Sequence, residues 1–285
     1  MAMGILMTLL LSRSRFYTTE GPYGVGYREF KLSRGKRARV SVYYPIDKDF
    51  YDQHQYDPAY NVPKMVEGLK VATGTAIAFK VSTHFLFRYY VQWRVQAIKN
   101  HELHKDFTDG NKKLLPIIFS HGLFTHRNAH SVILRELAAH GCIVYSVNHT
   151  DGSGAYYPDE SGHAMRDVFF TDYTHEIPAT KGQVSLLQGI EGSNREMTEQ
   201  EFREMQQKLR MRDIEALLEY LKHTEAKEIP TIDLKNLVAA GQSMGGTTAM
   251  EGCRRFKDDF KYCLVMDPYL RSCHEAIEQT KDYYK

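Results

Sequence analysis

Ser243 stands between Gly241 and Gly245 in the stretch VAAGQSMGGTTAM, directly after an apolar run. A serine in that pattern is either a nucleophile or a small residue capping a turn, and the surrounding elements decide. The spacing does chemistry where a strand delivers the serine into a sharp bend and a helix starts at once. Such a bend lifts the hydroxyl above the strand ends, and the helix N-terminus offers N–H groups where negative charge develops. Leu237–Ala240 reads as that strand, Ser243 as the turn, and Gly245–Met250 as the start of the helix. Gly241 and Gly245 are the small residues that so tight a turn demands.

A hydroxyl needs a base to take its proton, and the base needs an acid to hold its tautomer. Asp267 lies 24 residues beyond Ser243 at the end of the apolar run YCLVMDPYL, and the chain order serine, acid, histidine selects it as the acid. The alternative is a turn aspartate before Pro268. An oxyanion hole takes one amide from the residue after the nucleophile, here Met244, and one from an earlier strand–helix loop. SHGL at 120–123 supplies the Leu123 amide, with His121 bracing that loop. The third triad member is missing: His274 is the one histidine after Asp267, and seven residues are too few to cross another strand and return. No Cys-x-x-Cys pair is present, and nothing in the chain calls for a metal or a cofactor.

The elements that would position these residues are legible as periodicity. RARVSVYYP alternates as a strand ended by Pro45, and the stretch from 47 to 63 looks like loop. LLPIIFSHG and CIVYSVNH are apolar runs of buried-strand type, separated by a helical pattern through Val132, Leu134, Leu137 and Ala138 that Gly141 ends. Residues 161–192 read as a polar excursion. TEQEFREMQQKLRMRDIEALLEYLKH is the strongest helix, with Thr198 and Glu201 as a capping box; its Arg210 and Arg212 read as solvated charges, ion pairing to a loop being the alternative. Alternating strands and helices imply a doubly wound, mostly parallel α/β sheet flanked by helices.

Composition narrows the class. A length of 285 residues and a hydrophobic content of 42% suit one domain over 21–285, preceded by an apolar extension over 1–20. The 37 basic and 35 acidic residues nearly cancel to +2, which argues against a nucleic-acid partner. Cys142, Cys253, Cys263 and Cys273 are too few and too irregular for a disulfide framework and read as reduced thiols. The run Met3–Leu11 is too short to span a bilayer and lacks the basic residues that precede a signal peptide's apolar core, so the expected compartment is cytoplasmic, with secretion as the alternative. Val71–Val95 is aromatic and free of acidic residues. It reads as a helical hairpin over the core or as an interfacial segment resting Phe85, Phe87, Tyr89, Tyr90 and Trp93 in lipid headgroups.

The run FSHGLFTHRNAHSVILRELAAHGCIVYSVNHTDGSGAYY, followed by GQSMGGTTAM and LVMDPYL and preceded by GPYGVG, resembles the platelet-activating-factor acetylhydrolases of the plasma and intracellular type II group. The resemblance runs from about residue 21 to about 270. It implies an α/β-hydrolase that cleaves the sn-2 acetyl or short oxidised acyl ester of phospholipids without calcium. By matching positions it implies Ser243 as nucleophile, Asp267 as acid and the Leu123 and Met244 amides as oxyanion hole. It also implies membrane docking through the 71–95 segment. The chain departs from the pattern in two places. NHTD at 148–151 replaces the usual Glu-His-Arg-Asp, which speaks against an ionic role there, and the histidine is absent, so that the fold is expected to lack its last strands. A generic carboxylesterase, or a pseudoenzyme or lipid-binding scaffold without the base, are the competing expectations.

Overall fold

The structure, a computed structural model, describes residues 18–32, 38–55, 57, 61–62, 95–123, 125–154, 157–158, 164–165 and 199–270. The N-terminal apolar run, Phe85, Phe87, Tyr89, Tyr90, Trp93, most of the 161–192 excursion, the Thr198 cap and His274 lie outside the described residues.

In chain order the elements are β1 (Gly24–Lys31), β2 (Arg39–Ile46), α1 (Lys48–His54), β3 (Asn61–Val62), β4 (Val95–Lys99), α2 (Lys105–Thr108), β5 (Leu115–Ser120), α3 (Ser131–Ala139) and β6 (Cys142–Asn148). A small ribbon of β7 (Tyr157–Pro158) and β8 (Ala164–Met165) precedes α4 (Glu199–Tyr220), β9 (Val238–Gln242), α5 (Met244–Arg255) and β10 (Tyr262–Met266). Eight strands form one sheet in the order β10-β9-β5-β6-β2-β1-β4-β3. β10, β9, β5 and β6 run parallel to their neighbours, as does β4 to β1, whereas β2 is antiparallel to both β1 and β6. The parallel half matters for function, because the loops after β5, β6, β9 and β10 emerge at one edge of the sheet, where ligands of α/β folds bind.

Those four strands are where they are because of their composition. β5 and β6 are continuous apolar runs buried on both faces, as parallel strands covered by helices must be. Between them α3 buries Leu134, Ala138 and Ala139, and Gly141 at φ 92 donates its N–H to the Ala138 carbonyl at 3.0 Å, the left-handed termination expected of glycine there.

Local reading went astray in the N-terminal third. β2 continues through Pro45 to Ile46, pairing Pro45 with Val25 of β1, while its pairing with β6 extends only as far as Tyr43. The missing N–H of Pro45 therefore falls where β2 has a neighbour on one side only. The expected loop at 47–63 contains α1, started by Asp47, whose carboxylate accepts the Phe50 N–H at 2.8 Å. β1 carries two glycines and a charged end and shows little strand signal; it is held by its eight-residue register with β2.

One buried charge ties the far side of the sheet to the end of α4. Glu225, wholly buried in the π-helical turn that continues α4, pairs with Arg28 of β1 and accepts hydrogen bonds from the Tyr145 hydroxyl at 2.8 Å and the Tyr220 hydroxyl at 2.9 Å. Removing one partner of a buried pair leaves an uncompensated charge, which costs about 3–5 kcal/mol, whereas replacing both with apolar residues is often close to neutral. Urea unfolding should therefore show a loss of about 3–5 kcal/mol for Arg28→Met and a smaller loss for the double variant Arg28→Met/Glu225→Leu. Equal losses would contradict this account of the pair.

Candidate active site

Ser243 sits between β9 and α5 with φ 55 and ψ −122, a backbone conformation that a residue with a side chain adopts only when its surroundings impose it. Three contacts impose it. The Ser243 N–H donates to the Met266 carbonyl at the end of β10 at 2.9 Å, and the Ser243 carbonyl accepts from Gly246 and Tyr269 N–H groups at 2.9 and 3.0 Å. The glycines allow the approach: a Cβ on Gly241 would stand 2.1 Å from the Gly245 carbonyl oxygen, and one on Gly245 would stand 1.9 Å from that of Ser120. No side chain fits at either place. The Ser243 side chain itself is half-buried at the sheet edge.

The loop after β5 lies against this bend. A Cβ on Gly122 would be 3.2 Å from the Ser243 Cβ and 2.8 Å from the Gln242 side-chain oxygen, so the two backbones lie close and a side chain there would crowd the bend. The next residue is Leu123. Its peptide is fixed through the Gly122 carbonyl, which accepts from His121 Nδ1 at 2.7 Å and Thr125 Oγ1 at 3.0 Å. Met244 is the first residue of α5, so its N–H has no acceptor within the helix. Asp267 follows directly on β10 with φ 45. Its backbone is tied to the bend through Met266 and Tyr269, but its carboxylate is exposed and, among the described residues, takes part in no hydrogen bond or ion pair. Ser243, Met244, Gly122–Leu123 and the Asp267 backbone are thus brought together. A carboxylate–histidine contact is not formed among the described residues.

Behind the loop is a polar cluster that local sequence reading misses. Arg210 of α4 is wholly buried: Nε donates to Asp151 at 2.7 Å, Nη1 to the His121 carbonyl at 2.7 Å and to Thr248 Oγ1 at 3.2 Å, and Nη2 to Ser153 Oγ at 2.5 Å. Arg210 is therefore not the solvated charge expected from its helix, and the 148–151 stretch does have an ionic role, carried by Asp151. Asn148, in place of an acid, accepts the Arg127 N–H as a neutral group at 3.2 Å. One turn earlier on α4, Gln207 Nε2 donates to the Met244 carbonyl at 3.1 Å. The available signal was spacing: Arg203, Gln206, Gln207, Arg210 and Asp213 recur at helical intervals and share one buried face, interleaved with apolar residues.

The same cluster contains a serine–histidine–aspartate chain that does not involve Ser243. His149 Nε2 lies 3.1 Å from Ser120 Oγ and His149 Nδ1 3.3 Å from Asp213, which also accepts from the Thr150 amide at 2.9 Å. All three side chains are at or below 1% exposed, so no substrate reaches Ser120, and the arrangement is structural.

Burial first, and then the positive charge of Arg210, pushes both His121 and His149 well below the usual histidine range. The His121 tautomer follows from its partners. Nε2 accepts the His149 N–H at 3.3 Å, so Nδ1 carries the proton it gives to Gly122. Burial, the largest influence, would raise Asp151, but Arg210 together with His149 and the Ser153 hydrogen bond more than offsets it and carries its pKa down to about 2. Burial, with Arg127 nearby, takes His126 down to about 4.

A family model described as platelet-activating factor acetylhydrolase, isoform II, matches residues 10–282. The chain belongs to this family. The platelet-activating factor acetylhydrolase of Canis lupus familiaris is 24% identical over 278 residues, covering 94% of this chain and 58% of that protein. The one from Cavia porcellus is 36% identical over 141 residues, or 48% of this chain and 30% of that protein. The chain thus spans a little over half the length of the first of these relatives. A ferulic acid esterase from Streptomyces cinnamoneus superposes with a TM-score of 0.52 at 16% identity, over 85% of this chain and 58% of that one. The fold is that of the α/β-hydrolases. Against the Glu-His-Arg-Asp pattern the chain differs at Asn148 and Thr150 and keeps His149 and Asp151, both buried here.

Three buried neutral histidines make stability pH-dependent. Each binds a proton in the unfolded chain near pH 6.5 but not in the folded one, so its contribution is complete above that pH and is lost as pH falls. The slope is about 1.4 kcal/mol per pH unit per histidine. Urea unfolding at pH 7.5 and 5.5 should show a clear fall in stability at the lower pH, before Asp151 begins to protonate; equal stabilities would refute the neutral assignment.

Proposed function

We propose that this chain is a serine-dependent carboxylic ester hydrolase acting without calcium on phospholipids that carry an acetyl or short oxidised acyl group at sn-2. The observation that carries the reading is Ser243 itself, strained at φ 55 on a strand–turn–helix bend with the Gly122 backbone pressed against it.

In this reading Ser243 Oγ attacks the ester carbonyl carbon while its proton passes to a base. The carbonyl oxygen becomes an oxyanion held by the Leu123 and Met244 N–H groups, and the lyso-phospholipid alcohol leaves with a proton. Water then attacks the acyl-serine and frees the short acid. Asp267, at the end of β10, is the acid that would orient the base. Among the described residues no histidine hydrogen-bonds the Ser243 hydroxyl; His121 and His149 are sealed behind the loop with both ring nitrogens engaged. The aromatic residues Phe85, Phe87, Tyr89, Tyr90 and Trp93 would rest on the lipid surface, and the protein would work as a peripheral cytoplasmic enzyme. No helix among the described residues is long and apolar enough to cross a membrane.

The Ser243 hydroxyl, which hydrogen-bonds no histidine among the described residues, also favours a second reading, a lipid-binding scaffold that keeps the bend without an effective base. Losing one triad member typically lowers turnover by about 10⁴–10⁶ and leaves a residue of catalysis. An alkyl fluorophosphonate separates the two. On the enzymatic reading it labels the wild type and Ser120→Ala, but not Ser243→Ala; no labelling of a folded wild type would favour the scaffold. Hydrolysis of an acetyl phospholipid should exceed that of a water-soluble acetyl ester and persist in a chelator. A strong preference for the soluble ester would point to a generic carboxylesterase instead.

A further inference from the structure

We propose that Arg210 is a positioning residue for the oxyanion loop, orienting the Leu123 amide through His121. The inference rests on the role given above to Ser243 and Leu123 and adds a residue of α4, which belongs to neither of the two segments that carry them.

The argument begins with peptide planarity. The Leu123 N–H belongs to the same trans peptide as the Gly122 carbonyl and points the opposite way, so whatever fixes that oxygen fixes the direction of the N–H. The oxygen is fixed by His121 Nδ1 at 2.7 Å. That bond requires His121 in one tautomer and one position. The His149 backbone N–H on Nε2 selects the tautomer. Arg210 supplies the position, since its Nη1 holds the His121 carbonyl at 2.7 Å, and its buried charge disfavours a second proton on the ring.

The planar guanidinium reaches four acceptors from three segments: the loop after β5, the Asp151 and Ser153 loop after β6, and Thr248 on α5. One rigid fork thus registers the loop after β5 against the helix that begins at the nucleophile. Gln207, one turn away, holds the first carbonyl of that helix from the same side. A buried ion pair is weak evidence for stability, because the desolvation of both charges offsets their attraction. Geometry is what this one supplies. Removing a whole oxyanion donor typically costs about 10²–10³ in rate, and a misaimed donor should lose part of that.

The test uses the full 285-residue chain. The rate constant for fluorophosphonate labelling of Ser243 is measured separately from the reversible binding constant of the probe. The variants are Arg210→Lys, which keeps the charge without the fork, Arg210→Met/Asp151→Leu, which removes the charges in balance, and Leu217→Ala, a core truncation on the same helix. Labelling should slow about tenfold or more in the first two, with probe binding changed less than twofold, even where the double variant is as stable as wild type. Leu217→Ala should label at the wild-type rate well below its melting point. Hydrogen exchange over residues 121–125 should accelerate about tenfold in Arg210→Lys and not in Leu217→Ala. Unchanged labelling in the Arg210 variants, or equal slowing by Leu217→Ala, overturns the proposal. If the wild type itself does not label, the hydrolase reading fails, and the exchange measurement alone decides: unchanged exchange at 121–125 overturns the inference as well.

Discussion

The backbone of Ser243 is held where a side-chain-bearing residue loses about 1–3 kcal/mol, and the parallel half of the structure is arranged to sustain it. The strain cannot relax, because the Gly245 Cα packs on the Ser120 carbonyl and Gly241 on Gly245, both closer than any Cβ permits. Relaxation would have to pull β5 from β9, which pair in register from Ile117 and Val238 to Ser120 and Gly241. The result is a hydroxyl offered at the strand ends by a rigid sheet, with two backbone segments fixed around it.

Maintaining those segments requires polar groups in a place that water does not reach. Burying Arg210, Asp151, Asp213, His121 and His149 is costly unless every group is paired. The pairing here is dense: both ring nitrogens of each histidine are engaged, and the guanidinium meets acceptors on three sides. Desolvation keeps the histidines neutral, so they serve as fixed donors and acceptors and not as proton carriers. A Ser–His–Asp chain of hydrogen bonds is present in that cluster, yet it is sealed from substrate: Ser120 is buried, whereas Ser243 is half-buried at the sheet edge and carries the strained backbone. Function follows from where a constellation sits as much as from which residues form it.

The central fold was readable where local and tertiary demands coincide. β5, β6 and β9 are largely apolar, buried strands of a covered parallel sheet, and that composition survives in a one-dimensional reading; β10 carries the same kind of run although it lies partly exposed at the sheet edge. β1 and α1 were not readable. β1 owes its conformation to the ladder with β2, and Asp47 starts α1 in a stretch whose short helix has too few turns to show a period. Arg210 was misread for a related reason: spacing on a helix identifies a face, but whether that face meets water or a packed loop depends on what folds over it.

By itself the sequence determined the order of strand, turn and helix about Ser243, the glycines that allow the bend, and the run of motifs shared with the acetylhydrolase family, because these depend on neighbours a few residues apart. Only the tertiary structure decided which charges are buried, which serine is accessible, and how Gly122, Met266 and Tyr269, distant in the chain, converge on one residue. Those outcomes depend on desolvation and on contacts between residues as far as 197 positions apart, as in the Arg28–Glu225 pair, and no local pattern encodes either.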